Sequence, residues 1–137
     1  MPTHPYIHFQ GNCAEALAAY AEIFGAPRPQ TMRFGEAPDA SEAAKASDRL
    51  IHGQVQLFDG TLMASDFPPG EQGEPQSGFS VMQSAPDLAT GKKIFAALSE
   101  GGTVIQPWGP VFFASAFGMA RDRFGTRWII TVAKDRN

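Results

Sequence analysis

The sequence predicts an α+β fold of two βαβββ modules, residues 5–66 and 78–133, joined by a connector at 67–77 within a single domain spanning 1–137. Three observations carry this reading. The order strand, helix, strands occurs twice along the chain. Asn12 lies eight residues before Tyr20, as Asp87 lies eight before Phe95, and the turns Asp59-Gly60-Thr61 and Phe124-Gly125-Thr126 both lead into an apolar strand. Finally, His52 to Asp66 reads as a hairpin with two chemically distinct faces.

The first module opens on a strand over Tyr6 to Phe9, with Ile7 and Phe9 on one face and Tyr6 and His8 on the other. Asn12 fits a helix N-cap, Glu15 completes a capping-box-like pair, and Gly25 stops the helix. Between them Cys13, Leu17, Tyr20 and Phe24 form an apolar stripe at helical spacing. Pro27 and Pro29 exclude further helix, and Gln30 to Phe34 suits a weaker strand. Glu36 to Arg49 has almost no large apolar residue, which predicts a solvated loop or short surface helix whose charges meet water.

The hairpin follows. An Asp59-Gly60 loop suits the positive φ angles of a type I′ turn, which would place Gln56 opposite Met63 and Gln54 opposite Ser65, with His52 near the open end. Alternation then groups His52, Gln54, Gln56, Thr61, Met63 and Ser65 on one surface, and Ile51, Val55, Leu57, Leu62 and Ala64 on the other. The first surface is polar without a Lys, Arg or Glu, the pattern of a lined cavity. Phe67 to Ser77, rich in Pro, Gly and polar residues, is a connector or a mobile lid.

In the second module Phe79 to Gln83 is strand-like. Asp87 caps a helix carrying Leu88, Ile94, Phe95 and Leu98, which ends at Glu100-Gly101-Gly102. Thr103 to Gln106 reads as a short strand, Val111 to Met119 as a longer one and Arg127 to Val132 as the last. Alternation points Phe112 and Phe113 to opposite faces, so part of the set formed by Trp108, Phe112, Phe113, Phe117 and Trp128 is expected to line a pocket.

Composition narrows the function classes. A chain of 137 residues, 43% hydrophobic, can bury a real core. A net charge of −3 with scattered signs gives no footprint for nucleic acid or an anionic membrane. The single cysteine forbids an internal disulfide, the start MPTHPYIHFQ lacks a secretion pattern and no apolar run approaches bilayer length, so the expected location is the cytoplasm.

The stretches PYIHFQGNCAEALAAYAEIFGA, LMASD, FFASAFG and DRFGTRWIITV resemble the PhnB-like group of the vicinal oxygen chelate superfamily, which includes glyoxalase I and bleomycin-resistance proteins. The resemblance covers nearly the whole chain. It implies curved mixed sheets forming a cavity, and a homodimer in which each chain helps complete the other's pocket. The demethylubiquinone methyltransferase label borne by some members finds no support in the sequence, because no Gly-rich loop follows a strand and opens a helix.

Metal-using relatives are implied to bind a divalent ion through His or Glu at four places. These fall here on His4 or Pro5, on Ser65, on Gly78 or Phe79, and on Ile129. Only one can be a ligand, whereas zinc or iron needs about three protein donors. The expectation is therefore no metal and no cofactor. A site rebuilt from His4, His8 and His52 is disfavoured, since in the sheet order the resemblance implies the strand of His8 would stand about 9 to 10 Å from that of His52, and His4 about 13 Å from His8 along its strand.

His52 is the leading candidate general base or hydrogen-bond donor, and His8 the second; the alternative for His52 is a half-exposed histidine at a strand end. Gln54, Gln56, Thr61 and Ser65 either hold a polar ligand or bond one another. Cys13 suits core packing better than an activated thiol. Asp122, Arg123 and Arg127 flank the final turn as structural or solvated groups, although an Arg at a cavity mouth could hold an anion.

The predicted function is metal-independent binding of a small, partly apolar molecule. Its polar end would meet His52, Gln54, Gln56 and Ser65, with Tyr6 beside them, and its apolar end Met63, Phe113, Phe117 and Ile129. The alternatives are an isomerase, lyase or conjugating enzyme using His52 or His8 as acid or base, and a protein that mainly presents an interaction surface.

Overall fold

The computed structural model describes residues 2–134. Contacts divide the chain into two units, one ending at Gln76 and one beginning at Ser77. Each has the βαβββ order, closing a four-stranded mixed sheet over a helix.

The first unit comprises β1 (Tyr6–Phe9), α1 (Cys13–Phe24), β2 (Gln30–Arg33), α2 (Glu42–Lys45), β3 (Leu50–Gln56) and β4 (Thr61–Asp66). Its sheet runs β1-β4-β3-β2, with β1 parallel to β4 and the other pairs antiparallel. The predicted stripe of α1 is its buried face, with Cys13, Leu17, Tyr20 and Phe24 joined by Ala16 and Ala21. The helix lies so close to β3 that a Cβ on Gly53 would stand 2.5 Å from Leu17 Cδ1. Only glycine admits that approach without displacing Leu17. Gly25 ends the helix in the left-handed conformation at φ 65°.

Asn12, expected to cap α1, makes no side-chain capping bond. The carboxylate of Asp66, arriving at the end of β4, does that work instead. Its Oδ1 accepts from the backbone N–H groups of Gly11 (2.8 Å) and Cys13 (3.0 Å), and its Oδ2 from that of Leu50 (2.8 Å). A charged acceptor bonds these amides more strongly than a neutral Asn oxygen can, and the parallel β1–β4 pairing delivers it to the helix start.

The hairpin register differs from the expected one by two residues. Gln56 pairs with Thr61, Val55 with Leu62, Gln54 with Met63 and Gly53 with Ala64. The chain reverses at Phe58 and Asp59, the Leu57 N–H donates to the Gly60 carbonyl at 2.8 Å, and neither Asp59 nor Gly60 has a positive φ, so the turn is not type I′. Because the slip is an even number, the two faces keep their membership. Ile51 is the exception. A bulge opposite Met32 and Arg33 inserts it as an extra residue, which turns Leu50 into the core and leaves Ile51 36% exposed.

The second unit comprises β5 (Val81–Ser84), α3 (Leu88–Ser99), β6 (Thr103–Val111), β7 (Ala114–Arg121) and β8 (Arg127–Val132), ordered β5-β8-β7-β6. Asp87 caps α3 as expected, its Oδ1 accepting from the Thr90 N–H at 2.7 Å. That bond holds the Asp87 carboxyl below its usual range. Ile94, Phe95 and Leu98 are buried with Gly91, whereas Leu88 is exposed at the first turn.

β6 continues past Gln106 to Val111, through Pro107 and Pro110. As an edge strand with repeated register shifts it tolerates the missing N–H groups that otherwise end a strand. Phe112 and Phe113 consequently occupy the β6–β7 turn, and both are exposed, Phe112 by 88%, so the alternation expected of them does not apply. Asp122 organises the last turn. Its Oδ1 accepts from the N–H groups of Phe124 (2.9 Å) and Thr126 (3.0 Å), and its Oδ2 from the indole N–H of buried Trp128 (2.9 Å).

Candidate functional site

The face of the first sheet turned away from α1 brings together Tyr6, His8, His52, Gln54, Gln56, Met63 and Ser65. Pairing explains the grouping. Tyr6 stands beside Met63 and His8 beside Ser65 across the parallel β1–β4 ladder, and Met63 in turn stands beside Gln54. β1, β3 and β4 contribute no Lys, Arg, Asp or Glu to this face.

Tyr6 and His52 are joined by a hydrogen bond of 3.0 Å between the phenol oxygen and Nδ1. The other ring nitrogen, Nε2, lies 3.2 Å from Gln54 Oε1. An amide oxygen only accepts, so Nε2 carries the proton. In the neutral ring Nδ1 is then the acceptor, and the Tyr6 O–H is the donor. The direction of the whole chain follows, from Tyr6 through His52 to Gln54. At the far edge the Thr61 hydroxyl donates to Gln56 Oε1 at 2.8 Å.

His8 belongs to a second group. Its Nδ1 shares a 3.1 Å hydrogen bond with the Ser65 hydroxyl, and its ring lies 5.5 Å from that of Phe67. The Tyr6 ring is 5.4 Å from His8 and 5.6 Å from His52 and so contacts both imidazoles.

These contacts bear on a metal. At the places the superfamily resemblance designates, the residues offer one imidazole, His4, and one hydroxyl, Ser65, already bonded to His8; Ile129 and Phe79 have no donor side chain. This set does not fit a divalent ion, which needs about three donors. Among the described residues no group of three or more His, Cys, Asp or Glu side chains converges.

A cavity of about 170 Å³ opens at the Gln54–Gln56 end of the face, lined by Pro27, Arg28, Gln30, Gln54 and Gln56. Arg28, Gln30 and Pro27 were no part of the expected site. Their signal in the sequence was the Pro27-Arg28-Pro29 run, which holds an Arg on a stiffened segment next to an edge strand.

Arg49 is a second residue that sequence reasoning passed over, within a segment expected merely to meet water. Its Nη1 donates to the carbonyls of Phe67 (3.0 Å), Pro68 (3.2 Å) and Glu71 (2.8 Å), and its Nη2 to that of Gln10 (3.2 Å). The Gln10 amide bonds Gly73 at both ends, Nε2 to its carbonyl (3.0 Å) and Oε1 from its N–H (3.1 Å). The connector is thus fastened to the β1–α1 corner, and it places Phe67 against His8.

The second unit brings Phe113, Phe117 and Ile129 to its own sheet and turn. Phe113 and Phe117 meet edge to face at 5.4 Å, and Phe112 meets Phe113 at 5.0 Å. Ile129 pairs with Met82 on one side and Met119 on the other, which makes an apolar row across that sheet. Arg127, expected to be structural or solvated, extends its Nη2 to within 3.9 Å of the Met119 sulfur. Cys13 is packed in the core, where burial, reinforced by the nearby Asp66 carboxylate, pushes its thiol from 9.0 up to about 12.

Among the described residues, two open mixed sheets of βαβββ order, three α-helices and a polar uncharged sheet face define a protein of the glyoxalase/bleomycin-resistance fold. A Frankia glyoxalase/bleomycin-resistance/dioxygenase domain shares that fold, with TM-score 0.67 and 12% identity over 100% of this chain and 94% of its own. Within the superfamily the chain belongs to the 3-demethylubiquinone-9 3-methyltransferase family, whose model matches residues 2–131, the PhnB-like group. It is similar to protein YjdN of Escherichia coli, 30% identical over 99% of this chain and 98% of YjdN. It is also similar to protein PA1353 of Pseudomonas aeruginosa, with TM-score 0.87 and 34% identity over 98% of this chain and 99% of that one.

Proposed function

We propose that the protein binds a small, partly apolar molecule without a metal ion, on the open face of the first sheet. The observation that carries this reading is the ordered chain from Tyr6 through His52 to Gln54, set on strands that contribute no charged residue and ending at a cavity. Bulk water would be met as readily by unconnected lysines and glutamates. A directional set of hydrogen-bonding groups beside Met63 is suited to orienting a ligand. Phe113, Phe117 and Ile129 form a separate apolar group on the second unit.

Methyl transfer, the activity in the family's description, has less support. A nucleotide-type cofactor uses free amides at a helix start. Here Asp66 occupies amides at the start of α1, and Asp87 caps α3. Acid–base catalysis is the second reading, and one observation favours His8 over His52 for it. Both nitrogens of His52 are engaged, whereas among the described residues His8 is bonded through Nδ1 alone, leaving Nε2 to exchange a proton. The homodimer implied by the resemblance is proposed together with the small-molecule-binding reading.

Native mass spectrometry and metal analysis of protein purified without chelators test the proposal. The expected result is a retained or added small molecule whose binding weakens in Tyr6→Phe and Gln54→Leu, with no stoichiometric metal. One divalent ion per chain, tightly held and lost on His52→Ala, overturns it. Light scattering reads the dimer.

A further inference from the structure

We infer that the cavity at Arg28 is a carboxylate-binding pocket, which takes the anionic end of the ligand. The inference rests on the small-molecule reading above and adds its chemical class. It comes from the direction of the hydrogen bonds. Gln54 Oε1 is committed to the His52 Nε2–H, and Gln56 Oε1 to the Thr61 hydroxyl. Each glutamine oxygen already accepts one bond from a neighbour in the sheet, and each side chain retains an amide NH2 carrying two donors. Arg28 adds a guanidinium, which has donors and no acceptor. The cavity, which Pro27 and the Gln30 amide also line, therefore presents more donors than free acceptors and a positive charge. Its complement is an acceptor-rich anion.

Three features set the class more narrowly. One guanidinium balances one negative charge, which suits a carboxylate better than a phosphate dianion. The planar guanidinium fork matches the two oxygens of a carboxylate. Pro27 and Pro29 fix φ on both sides of Arg28, which lowers the entropy lost when its segment is held against a ligand. A volume of about 170 Å³ admits a small group while leaving the rest of the molecule over Met63, the cross-strand neighbour of Gln54.

The test is ¹H–¹⁵N NMR of the full chain titrated with benzoate, its neutral isostere benzamide, and phenyl phosphate. Benzoate is expected to shift the side-chain amide signals of Gln54 and Gln56 saturably. Benzamide should bind about tenfold more weakly, as loss of a charge-assisted contact implies, and phenyl phosphate no more tightly than benzoate. Arg28→Ala should weaken benzoate by about tenfold or more; Arg28 is exposed, so the variant keeps its fold. Gln56→Leu should weaken it as well. Equal affinity for benzoate and benzamide, unchanged benzoate affinity in Arg28→Ala, or no response at Gln54 and Gln56 overturns the carboxylate pocket. Tighter binding of phenyl phosphate overturns the assignment to a single negative charge. The parent reading is judged separately: a neutral metabolite that shifts Tyr6 and His52 while benzoate fails leaves small-molecule binding standing and removes the carboxylate.

Discussion

Tyr6 and His52 stand on strands separated by β4, yet the phenol O–H of Tyr6 donates to His52 Nδ1 across 3.0 Å. The bond spans two strand spacings, about 9 to 10 Å of backbone separation, because both side chains lean over the row containing Met63. It selects the His52 tautomer, since Nε2–H must face Gln54. Long-range ¹⁵N–¹H spectra should show the Nε2–H tautomer in the native protein and a mixed population in Tyr6→Phe. Because the pair is exposed, the variant should lose less than about 1 kcal/mol of stability. Identical tautomer ratios in the two proteins would remove Tyr6 from the site.

Asp66 satisfies three backbone N–H groups, two of them in buried surroundings. Asp66→Ala strands those donors, and urea denaturation should show a loss of about 3 kcal/mol. Asp66→Asn keeps one acceptor and turns an NH2 toward another, so an intermediate loss is expected. If the Ala variant lost less than about 1 kcal/mol, another group or water would have to take over the amides.

Cys13 supplies a pH dependence with a definite sign. Its folded thiol is raised from 9.0 to about 12, while the unfolded thiol keeps its ordinary value. Above that ordinary value the unfolded state gains by ionising and the folded state does not, so this contribution to stability is complete below about pH 8.5 and falls as pH rises toward 12. The stability difference between the native protein and Cys13→Ala, followed from pH 8 to pH 11, should therefore shrink with rising pH. Iodoacetamide should leave Cys13 unmodified until the protein unfolds. Rapid alkylation of the folded protein at pH 8 would contradict both expectations.

Arg49 fastens the connector through three carbonyls, and Gln10 fastens it again at Gly73. Arg49→Ala should accelerate hydrogen exchange at the N–H groups of Phe67, Glu71 and Gly73 while leaving those of β3 and β4 protected. Uniform exchange across the first unit would mean that Arg49 supports the fold as a whole.

Much of the architecture was legible because it is written in short-range periodicity. The stripe of Cys13, Leu17, Tyr20 and Phe24, the alternation of His52 to Gln56 and the recurrence of strand, helix and strands depend only on which residues are apolar and how far apart they lie. The polar face was legible for the same reason, and it survived a two-residue error in register because side-chain direction has a period of two. The end of β6 was not legible, since Pro107 argues against a central strand and nothing local reveals that this strand is an edge.

By itself, then, the sequence determined the α+β class, the two βαβββ modules and the uncharged face carrying Tyr6, His8, His52, Gln54 and Gln56. Tertiary structure alone decided that Asp66, not Asn12, serves the start of α1, that Arg49 holds the connector, that Tyr6 reaches His52, and that Arg28 stands beside Gln54 and Gln56. The physical reason is common to all four. Each contact joins residues from different elements, and a hydrogen bond between them depends on ångström-scale placement set by strand order and register, which hydrophobic periodicity does not encode.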